Sequence, residues 1–492
     1  MKLFVSKSRI NNNMSLLSKK VLLEAVKGEE LFTNLQLNKH FSFSMVTTDS
    51  RKVQSGCMFV PLIGEFQDGH TYVESACNSG SSVVLVCKSS LTEYSDLYKK
   101  LISAGVYIIG VDDTLHALQS AAAAYVRQFP NLIKIGITGS SGKTTTKELV
   151  SSVLSQQYSV IATEGNLNSE TGLPLSVFNI KKQHEIGVFE MGMNRVGEIS
   201  ELADVLFPNA GIITNIGTSH IGILGTKDAI AQEKKKIFKN FSQDCAAFIP
   251  CNDSYANYLA KDVPGKIVFY GINSTQKISH ITKQGLKGTS FCLDDIKVHF
   301  PLPGLYNFHD ACAAISVGQY FGLTAQQIVR GLEQIKPLFG RSQIIDGYVT
   351  VIQDCYNANQ ESMLNSIELC DESSCTNKKI YILGDMLELG ENSFQLHTQV
   401  CKRVLKSTAN VVILVGKEMC KAYKTVSEKS DVPVYCIPDF SDNAIKNVKD
   451  YLSDILDEND FFLLKGSRGM RIERFTNIIA SICQEQGGVL NV

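Results

Sequence analysis

The sequence predicts an α/β chain of three domains, with a central ATPase-like domain built on a phosphate loop (P-loop) and a parallel sheet, then a doubly wound, Rossmann-like C-terminal domain. Three observations predict it. An apolar run, Leu132 to Ile137, enters the turn Gly139-Ser140-Ser141-Gly142 and then the helix-forming stretch from Lys143. Two separate stretches alternate short apolar strands with helical segments, the pattern of parallel sheets covered by helices. A chain of 492 residues exceeds what one core usually serves, and its length suggests about three domains.

Residues 1–130 contain Ser82 to Val86 and Val106 to Ile109 as short buried strands, then an Ala-rich helix over Leu115 to Arg127. Phe129-Pro130-Asn131 reads as a linker. Across 131–344 the strands are the phosphate-loop run, Glu185 to Glu190, Ala210 to Asn215 and Ala246 to Pro250. Across 345–492 they are Val349 to Gln353, Lys379 to Leu383, Val411 to Val415 and Phe461 to Leu464. Residues 1–13, with Asn11-Asn12-Asn13, read as a disordered extension, and Met14 is an alternative start.

A formal charge of −1 and a pI near 6.8 give no global attraction to nucleic acid or to an anionic membrane. No apolar run approaches the ~20 residues that span a bilayer, and the basic, polar start has no signal-peptide core. The fourteen cysteines include no C-x-x-C pair, which fits a reducing cytoplasm and no disulfide framework.

The Gly/Ser turn is the first chemical signal. Glycines let the backbone approach an anion, the helix-start N–H groups and Lys143 point at it, and Thr144 can ligate a phosphate-bound Mg2+. Ile137 stands where the usual pattern has Gly or Ala, and the alternative reading is a tight turn in an ordinary strand–helix unit. In open α/β sheets ligands bind beyond the carboxyl ends of the strands. Glu190 ends one such strand, either as a Mg2+ ligand or as a charge at the next helix's start. His220 follows another, in a loop where histidines also serve as surface or packing residues. On a helix over Asp228 to Phe238, Ile230, Ile237 and Phe238 set the apolar arc, and Lys234 falls inside it while Lys235 and Lys236 project away. Spacing alone favours a snorkelling lysine over a functional amine.

Further motifs run in order along the chain. In the first region these are Asp49-Ser50-Arg51, Phe59-Val60-Pro61-Leu62, Gly64-Glu65 and Asp68-Gly69-His70. Gly165-Asn166-Leu167-Asn168, Gly172-Leu173-Pro174-Leu175, Glu190-Met191-Gly192, Asn215-Ile216-Gly217, Pro303-Gly304 with Asn307, and Gly340-Arg341 follow. The third region adds Tyr356-Asn357-Ala358-Asn359 with Ser362-Met363, Leu383-Gly384-Asp385-Met386 with Glu388-Leu389-Gly390, and Lys465-Gly466-Ser467-Arg468. Together with the phosphate loop, this series resembles the Mur ligases of bacterial cell-wall synthesis, in which an apolar residue at the Ile137 position is usual. Tyr306 and Asp310 stand where His and Asn are commoner in that family, and Gln360 replaces a frequent proline.

The resemblance implies ATP-dependent amide ligation in peptidoglycan precursor synthesis. D-alanyl-D-alanine would be joined to UDP-N-acetylmuramoyl-tripeptide (UDP-MurNAc-tripeptide) through an acyl phosphate. It implies ATP binding by Gly139, Ser140, Ser141, Gly142, Lys143, Thr144, Thr145, Asn307 and Arg341, and two Mg2+ ions held by Thr144, Glu190, His220 and a carbamylated Lys234. Lys143, Lys234, His220 and Arg341 would carry catalysis. Ser50, Arg51, Gly69 and His70 would meet the UDP-sugar, and Tyr356, Asn357 and Asn359 the dipeptide. Gly340 to Ser342 would be the hinge on which the third domain closes. A cytoplasmic monomer acting on small molecules, with no nucleic acid and no membrane insertion, completes the expectation. The competing readings are a related ATP-dependent ligase, either the Mur enzyme that adds the third residue or a folylpolyglutamate-type enzyme, and a non-catalytic nucleotide binder.

Overall fold

In the computed structural model the described residues are 15–33, 41–375, 377–426, 431–439 and 441–491. The expected extension at 1–13 and the alternative start lie outside them. The chain forms two compact units. One runs to Lys134 and takes in Thr163–Met193 and Glu201–Phe207; the other holds Ile135–Ala162, Asn194–Ser200 and the chain from Pro208 on.

The first region contains α1 (Lys19–Val26), β1 (Glu29–Glu30), β2 (Met45–Thr47), β3 (Cys57–Phe59), α2 (Val73–Asn78), β4 (Ser81–Cys87), α3 (Leu91–Ser103), β5 (Tyr107–Val111) and α4 (Thr114–Val126). Its sheet has the order β1-β5-β4-β3-β2, parallel except for β1 at one edge. The apolar runs read as buried strands are β4 and β5, and their side chains close a core with Phe59, Tyr98 and Ile102. The Ala-rich segment is helical because Asp113 caps it, its carboxylate accepting the His116 N–H at 2.7 Å. Small side chains let α4 be buried on most of its circumference.

The middle region continues through β6 (Ile133–Thr138), α5 (Lys143–Leu154), β7 (Val160–Ala162), α6 (Gly172–Val177), β8 (Ile186–Glu190), α7 (Glu198–Leu206), β9 (Ala210–Ile213), α8 (Ile221–Leu224), α9 (Lys227–Lys235), β10 (Ala246–Pro250), α10 (Ala256–Ala260) and β11 (Lys266–Tyr270). In the second unit, β11-β10-β9-β6 run parallel in that order. The strand expected to reach Asn215 stops at Ile213, because Thr214 and Asn215 turn to bond the phosphate loop. The helix expected over Asp228 to Phe238 is α9 followed by a 3-10 turn, Lys236–Phe238.

A small antiparallel sheet follows, which the sequence reading did not anticipate: β12 (Ile278–Lys283), β13 (Thr289–Leu293) and β14 (Ile296–Phe300). Its signal is present in the chain. Phe291, Leu293, Val298 and Phe300 are buried at alternate positions, across a two-residue turn in which Asp294 takes φ +51°. Then α11 (Leu305–Tyr320) and α12 (Ala325–Glu333) both pack on α5.

The last region holds β15 (Gln343–Ile345), β16 (Thr350–Asp354), α13 (Gln360–Glu372), β17 (Lys379–Gly384), α14 (Ser393–Val404), β18 (Val411–Val415), α15 (Lys417–Thr425), β19 (Val434–Ile437), α16 (Asp442–Ile455), β20 (Phe461–Lys465) and α17 (Arg474–Glu485). The sheet order is β15-β16-β20-β17-β18-β19, parallel apart from β15. One group of helices, α13, α14 and α15, packs together, and α16 packs with α17. The chain advances from β16 past β20 to β17 and then returns to fill the gap. This is the doubly wound topology expected, with its switch point at the carboxyl ends of β16, β17 and β20.

Candidate active site

The phosphate loop is shaped by close backbone packing. A Cβ on Gly139 would sit 1.7 Å from Thr214 Oγ1, so only glycine fits. Gly142 has φ +77°, and a Cβ there would meet the Asp310 carboxyl at 2.5 Å. Asn215 Oδ1 accepts the N–H groups of Ser140 and Ser141 at 3.2 and 3.0 Å, and Ser140 Oγ accepts the Gly217 N–H at 2.8 Å. The β9 loop therefore holds the amides of the turn in place. Thr144 and Thr145 are both buried at the start of α5.

Two lysines converge on one carbonyl. Lys143 Nζ and Lys234 Nζ each donate to Gly139 O at 2.9 Å. Lys234 is 1 % exposed, so its head group does not snorkel. Spacing placed it on the buried face correctly, and the structure decides the rest: the amine ends at the phosphate loop. Burial first, and then the Lys143 charge, hold Lys234 well below the usual lysine range, against a smaller pull from Glu233. Lys235 and Lys236 do project away, to the carbonyls of Tyr258 and Lys261 and to Glu233.

Arg341 joins the middle and last regions. Its Nη2 donates to Thr144 Oγ1 at 2.8 Å, and the guanidinium lies 4.1 Å from the centroid of the Tyr356 ring. The residues flanking it, Gly340 and Ser342, take φ +64° and +51°. Asn307 is buried and donates to Pro303 O at 2.7 Å. Tyr306 pairs its hydroxyl with Ser342 Oγ at 2.6 Å. Asp310 accepts from Thr146 Oγ1 at 3.0 Å, and burial pushes its carboxyl well above the usual range.

His220, at φ +63°, begins α8, and its Nδ1 lies 2.9 Å from Glu388 Oε2 without the alignment of a hydrogen bond. His220 first, and Lys143 further off, keep the Glu388 carboxyl below its ordinary range, against the effect of burial. The loop that carries His220 is clamped by a residue to which sequence reasoning assigned no role. Glu361 Oε2 accepts the Thr218 N–H at 3.0 Å and the Thr218 hydroxyl at 2.7 Å, while its Oε1 pairs with Lys227 at 2.8 Å. Nothing local in the sequence marks Glu361, which lies 143 residues from Thr218.

Glu190 belongs to the first unit, where it ends β8. Asn168 Nδ2 donates to its Oε1 at 2.7 Å, and the residue is 1 % exposed. Among the described residues no group of three or more His, Cys, Asp or Glu side chains is arranged to hold a metal ion.

The expected sugar-binding residues occupy two capped turns. Arg51 is exposed and forms two bonds of 2.9 Å with Asp49, whose carboxylate also caps the turn that contains Ser50. Gly69 leads into a second turn capped by Asp68. His70 is fully buried, with Nδ1 2.6 Å from Asp68 and Nε2 accepting the Cys87 N–H at 2.9 Å. Both its ring nitrogens are thus engaged inside the protein. Of the residues expected to meet the dipeptide, Tyr356 lies under Arg341 and Asn357 is exposed, while Asn359 caps α13 by accepting the Ser362 N–H at 2.8 Å. At the C-terminal switch point, Lys465 and Asp354 form a buried pair at 2.6 Å, and Asp385 accepts the Glu418 and Met419 N–H groups.

Three family models match in series: a Mur ligase family catalytic domain over residues 42–126, the Mur ligase middle domain over 137–318, and a Mur ligase glutamate ligase domain over 340–468. The UDP-N-acetylmuramoyl-tripeptide–D-alanyl-D-alanine ligase of Treponema pallidum is 40 % identical over 438 residues, covering 89 % of this chain and 94 % of the relative. The chain belongs to the Mur ligase family. The equivalent ligase of Bacillus subtilis is 34 % identical over 435 residues, covering 87 % of this chain and 91 % of that one. Among solved structures, MurF from Acinetobacter baumannii superposes with a TM-score of 0.83 at 27 % identity, covering 94 % of this chain and 98 % of that one. MurF ligase from Thermotoga maritima in complex with ADP gives 0.75 at 26 % identity, covering 90 % and 98 %. This Mur ligase therefore shares the three-domain architecture along nearly its whole described length. No helix among the described residues is long and apolar enough to cross a membrane.

Proposed function

We propose that this Mur ligase joins D-alanyl-D-alanine to UDP-MurNAc-tripeptide, driven by ATP. The observation that carries the reading is the convergence of Lys143, Lys234 and Arg341 on the Gly139–Thr144 loop. The Lys143 and Arg341 charges suit an anion that gains charge during reaction, and Lys234 brings its amine to the same loop. In the proposed chemistry the terminal carboxylate of the tripeptide attacks the γ-phosphorus of ATP, giving an acyl phosphate and ADP. The amine of the dipeptide then attacks the acyl carbon, and phosphate leaves. Both steps crowd oxygen anions together. The N–H groups at the start of α5, Lys143 and Arg341 offset that repulsion in fixed positions, where removal of one such donor typically costs about 10²–10³ in rate.

Residues 1–130 would hold the nucleotide sugar, 131–344 ATP and 345–492 the dipeptide. Ser50, Arg51 and Gly69 are the proposed sugar contacts, with His70 fixing the turn from beneath. Thr145 supports the ATP loop, and Asn307 stands near the adenine. Tyr356 and Asn357 face the dipeptide side, and Asn359 shapes that loop through its cap. The enzyme would work as a monomer in the cytoplasm.

Mg2+ requires hard oxygen donors and commonly binds through one or two protein oxygens plus substrate phosphates. Thr144 would supply such an oxygen, Glu190 carries another, His220 would act through water, and two ions bound with ATP would neutralise phosphate charge. Burial, which disfavours the charged form of Lys234, suits its amine to react with CO2. A nitrogen–carbon bond forms, a proton leaves, and the cation's place is taken by a carboxylate-like anion. Carbon-13 NMR after equilibration with labelled bicarbonate should show a carbamate signal that Lys234→Ala lacks.

Release of ADP measures the function directly. It should require UDP-MurNAc-tripeptide and D-alanyl-D-alanine together, and a panel of tripeptides differing in the third residue would define the natural precursor. Dependence on a free amino acid in place of the dipeptide would reassign the reaction to another ligase of the family.

A further inference from the structure

Glu388 lies in the turn between β17 and α14, at φ +64°, a conformation that costs a non-glycine residue energy unless its surroundings impose it. Here they do. The Met386 N–H donates to His397 Nε2 at 2.9 Å, the Leu387 N–H to Ser467 Oγ at 2.9 Å, and Glu388 O accepts the Gly222 N–H at 3.1 Å. A Cβ on Gly222 would sit 2.4 Å from Gly390 N, so the two loops meet backbone to backbone. The turn is held from several sides, yet the Glu388 side chain keeps 56 % of its surface exposed. Its Oε2 lies 2.9 Å from His220 Nδ1, on the loop whose Gly217 N–H donates to Ser140 of the phosphate loop.

Other carboxyl groups beside these loops are committed, Asp253 among them through the Ile216 and Tyr255 N–H groups. Asp310 is buried beneath Gly142 and bonded to Thr146. Glu361 is tied to Thr218 and Lys227. Two of the three substrates bring anions, which Lys143 and Arg341 suit. The third is a zwitterion that must bring its amino end to the site, and a cationic surround repels that ammonium group.

We propose that the exposed Glu388 carboxylate, presented by this anchored turn, binds the amino group of the incoming dipeptide and so selects for an amine at the phosphate end of the site. The inference rests on the ligase reading above. An amine drawn to this carboxylate is held near the loop on which the acyl phosphate would form, and orientation of that kind is a large part of what an enzyme of three substrates supplies.

Steady-state kinetics on the full-length chain test it, with each substrate varied in turn. Glu388→Gln should raise the KM for D-alanyl-D-alanine by about tenfold or more, and leave those for ATP and UDP-MurNAc-tripeptide within about twofold. Glu388→Asp, which keeps the charge on a shorter reach, should recover part of the loss. Calorimetric titration of the dipeptide into enzyme loaded with a non-hydrolysable ATP analogue and the tripeptide should show the same weakening. An unchanged dipeptide KM would overturn the inference. So would a rise in the KM for ATP by the same factor, which would assign Glu388 to the nucleotide end. If the Gln variant does not fold, Glu388→Asp carries the same test through its dipeptide KM. Wild-type enzyme that releases no ADP with the three substrates would sink the ligase reading itself. Active wild type with an unaffected Glu388→Gln sinks only this assignment.

Discussion

The middle and C-terminal sheets share one architecture and use their strand ends differently. At the end of β6 the charges converge on the loop: Lys143 and Lys234 share Gly139 O, and Arg341 bonds Thr144. At the C-terminal switch point they are largely paired within the fold, Lys465 with Asp354 and Asp385 with the backbone of α15. The first arrangement gathers the positive charges of Lys143 and Arg341 at the loop; the second builds rigid walls and leaves Glu388 exposed. A doubly wound sheet therefore says where a ligand binds, and the pairing of its charges says which kind.

The largest way to break that contrast is to remove the converging lysines. Lys143→Ala should lower kcat/KM by about 10²–10³, and Lys234→Ala by a similar factor, without loss of thermal stability. Rates of ADP release and a melting curve check both points. Retained ligation in these variants would mean that the convergence has no catalytic meaning.

Arg341 links the two sheets, so its loss should be felt next. Arg341→Ala should cost about 10- to 100-fold in kcat/KM for ATP, and Arg341→Lys should recover little, because the guanidinium both donates to Thr144 and lies over the Tyr356 ring. Recovery by lysine would show that only the charge matters.

Glu361→Ala removes two bonds to the His220 loop and one to Lys227 at the start of α9. A destabilisation of about 1–3 kcal/mol is expected, read from denaturant unfolding, together with a lower kcat. Full activity with lower stability would make the clamp structural alone.

The smallest effect concerns Asp310, whose carboxyl is pushed well above its ordinary range by burial. Such a raised acid contributes stability that is fully present below the unfolded value of about 3.9 and is lost as pH rises through the folded value. Asp310→Asn should therefore gain stability over wild type at pH 8, with the gain shrinking as the pH falls towards 4. Melting curves across that range check the sign.

Much of the middle region was legible because its chemistry is local. A strand, a Gly/Ser turn and a lysine-led helix stand within about a dozen residues, and helical spacing alone put Lys234 on the buried face. Whether its amine snorkelled could not be read from spacing, since that depends on where Gly139 O lies, 95 residues away in sequence. The C-terminal strands were equally readable as apolar runs, but the roles of their loops were not. Glu361 and Glu388 acquire meaning only through Thr218 and His220, which come from another part of the chain. The same holds for His70, whose motif suggested a contact with substrate while its ring nitrogens are used by Asp68 and Cys87. The antiparallel sheet was missed for a different reason: its alternation is short and lies between two longer α/β patterns.

The central claim is that ATP activates the peptide carboxylate at the phosphate loop before the amine arrives. Its most direct test is to label the terminal carboxylate of UDP-MurNAc-tripeptide with oxygen-18 and to analyse the phosphate released during ligation. Attack of that carboxylate on the γ-phosphorus predicts that one labelled oxygen leaves with each phosphate. Unlabelled phosphate, with the oxygen lost from the carboxylate recovered as labelled water, would contradict the account.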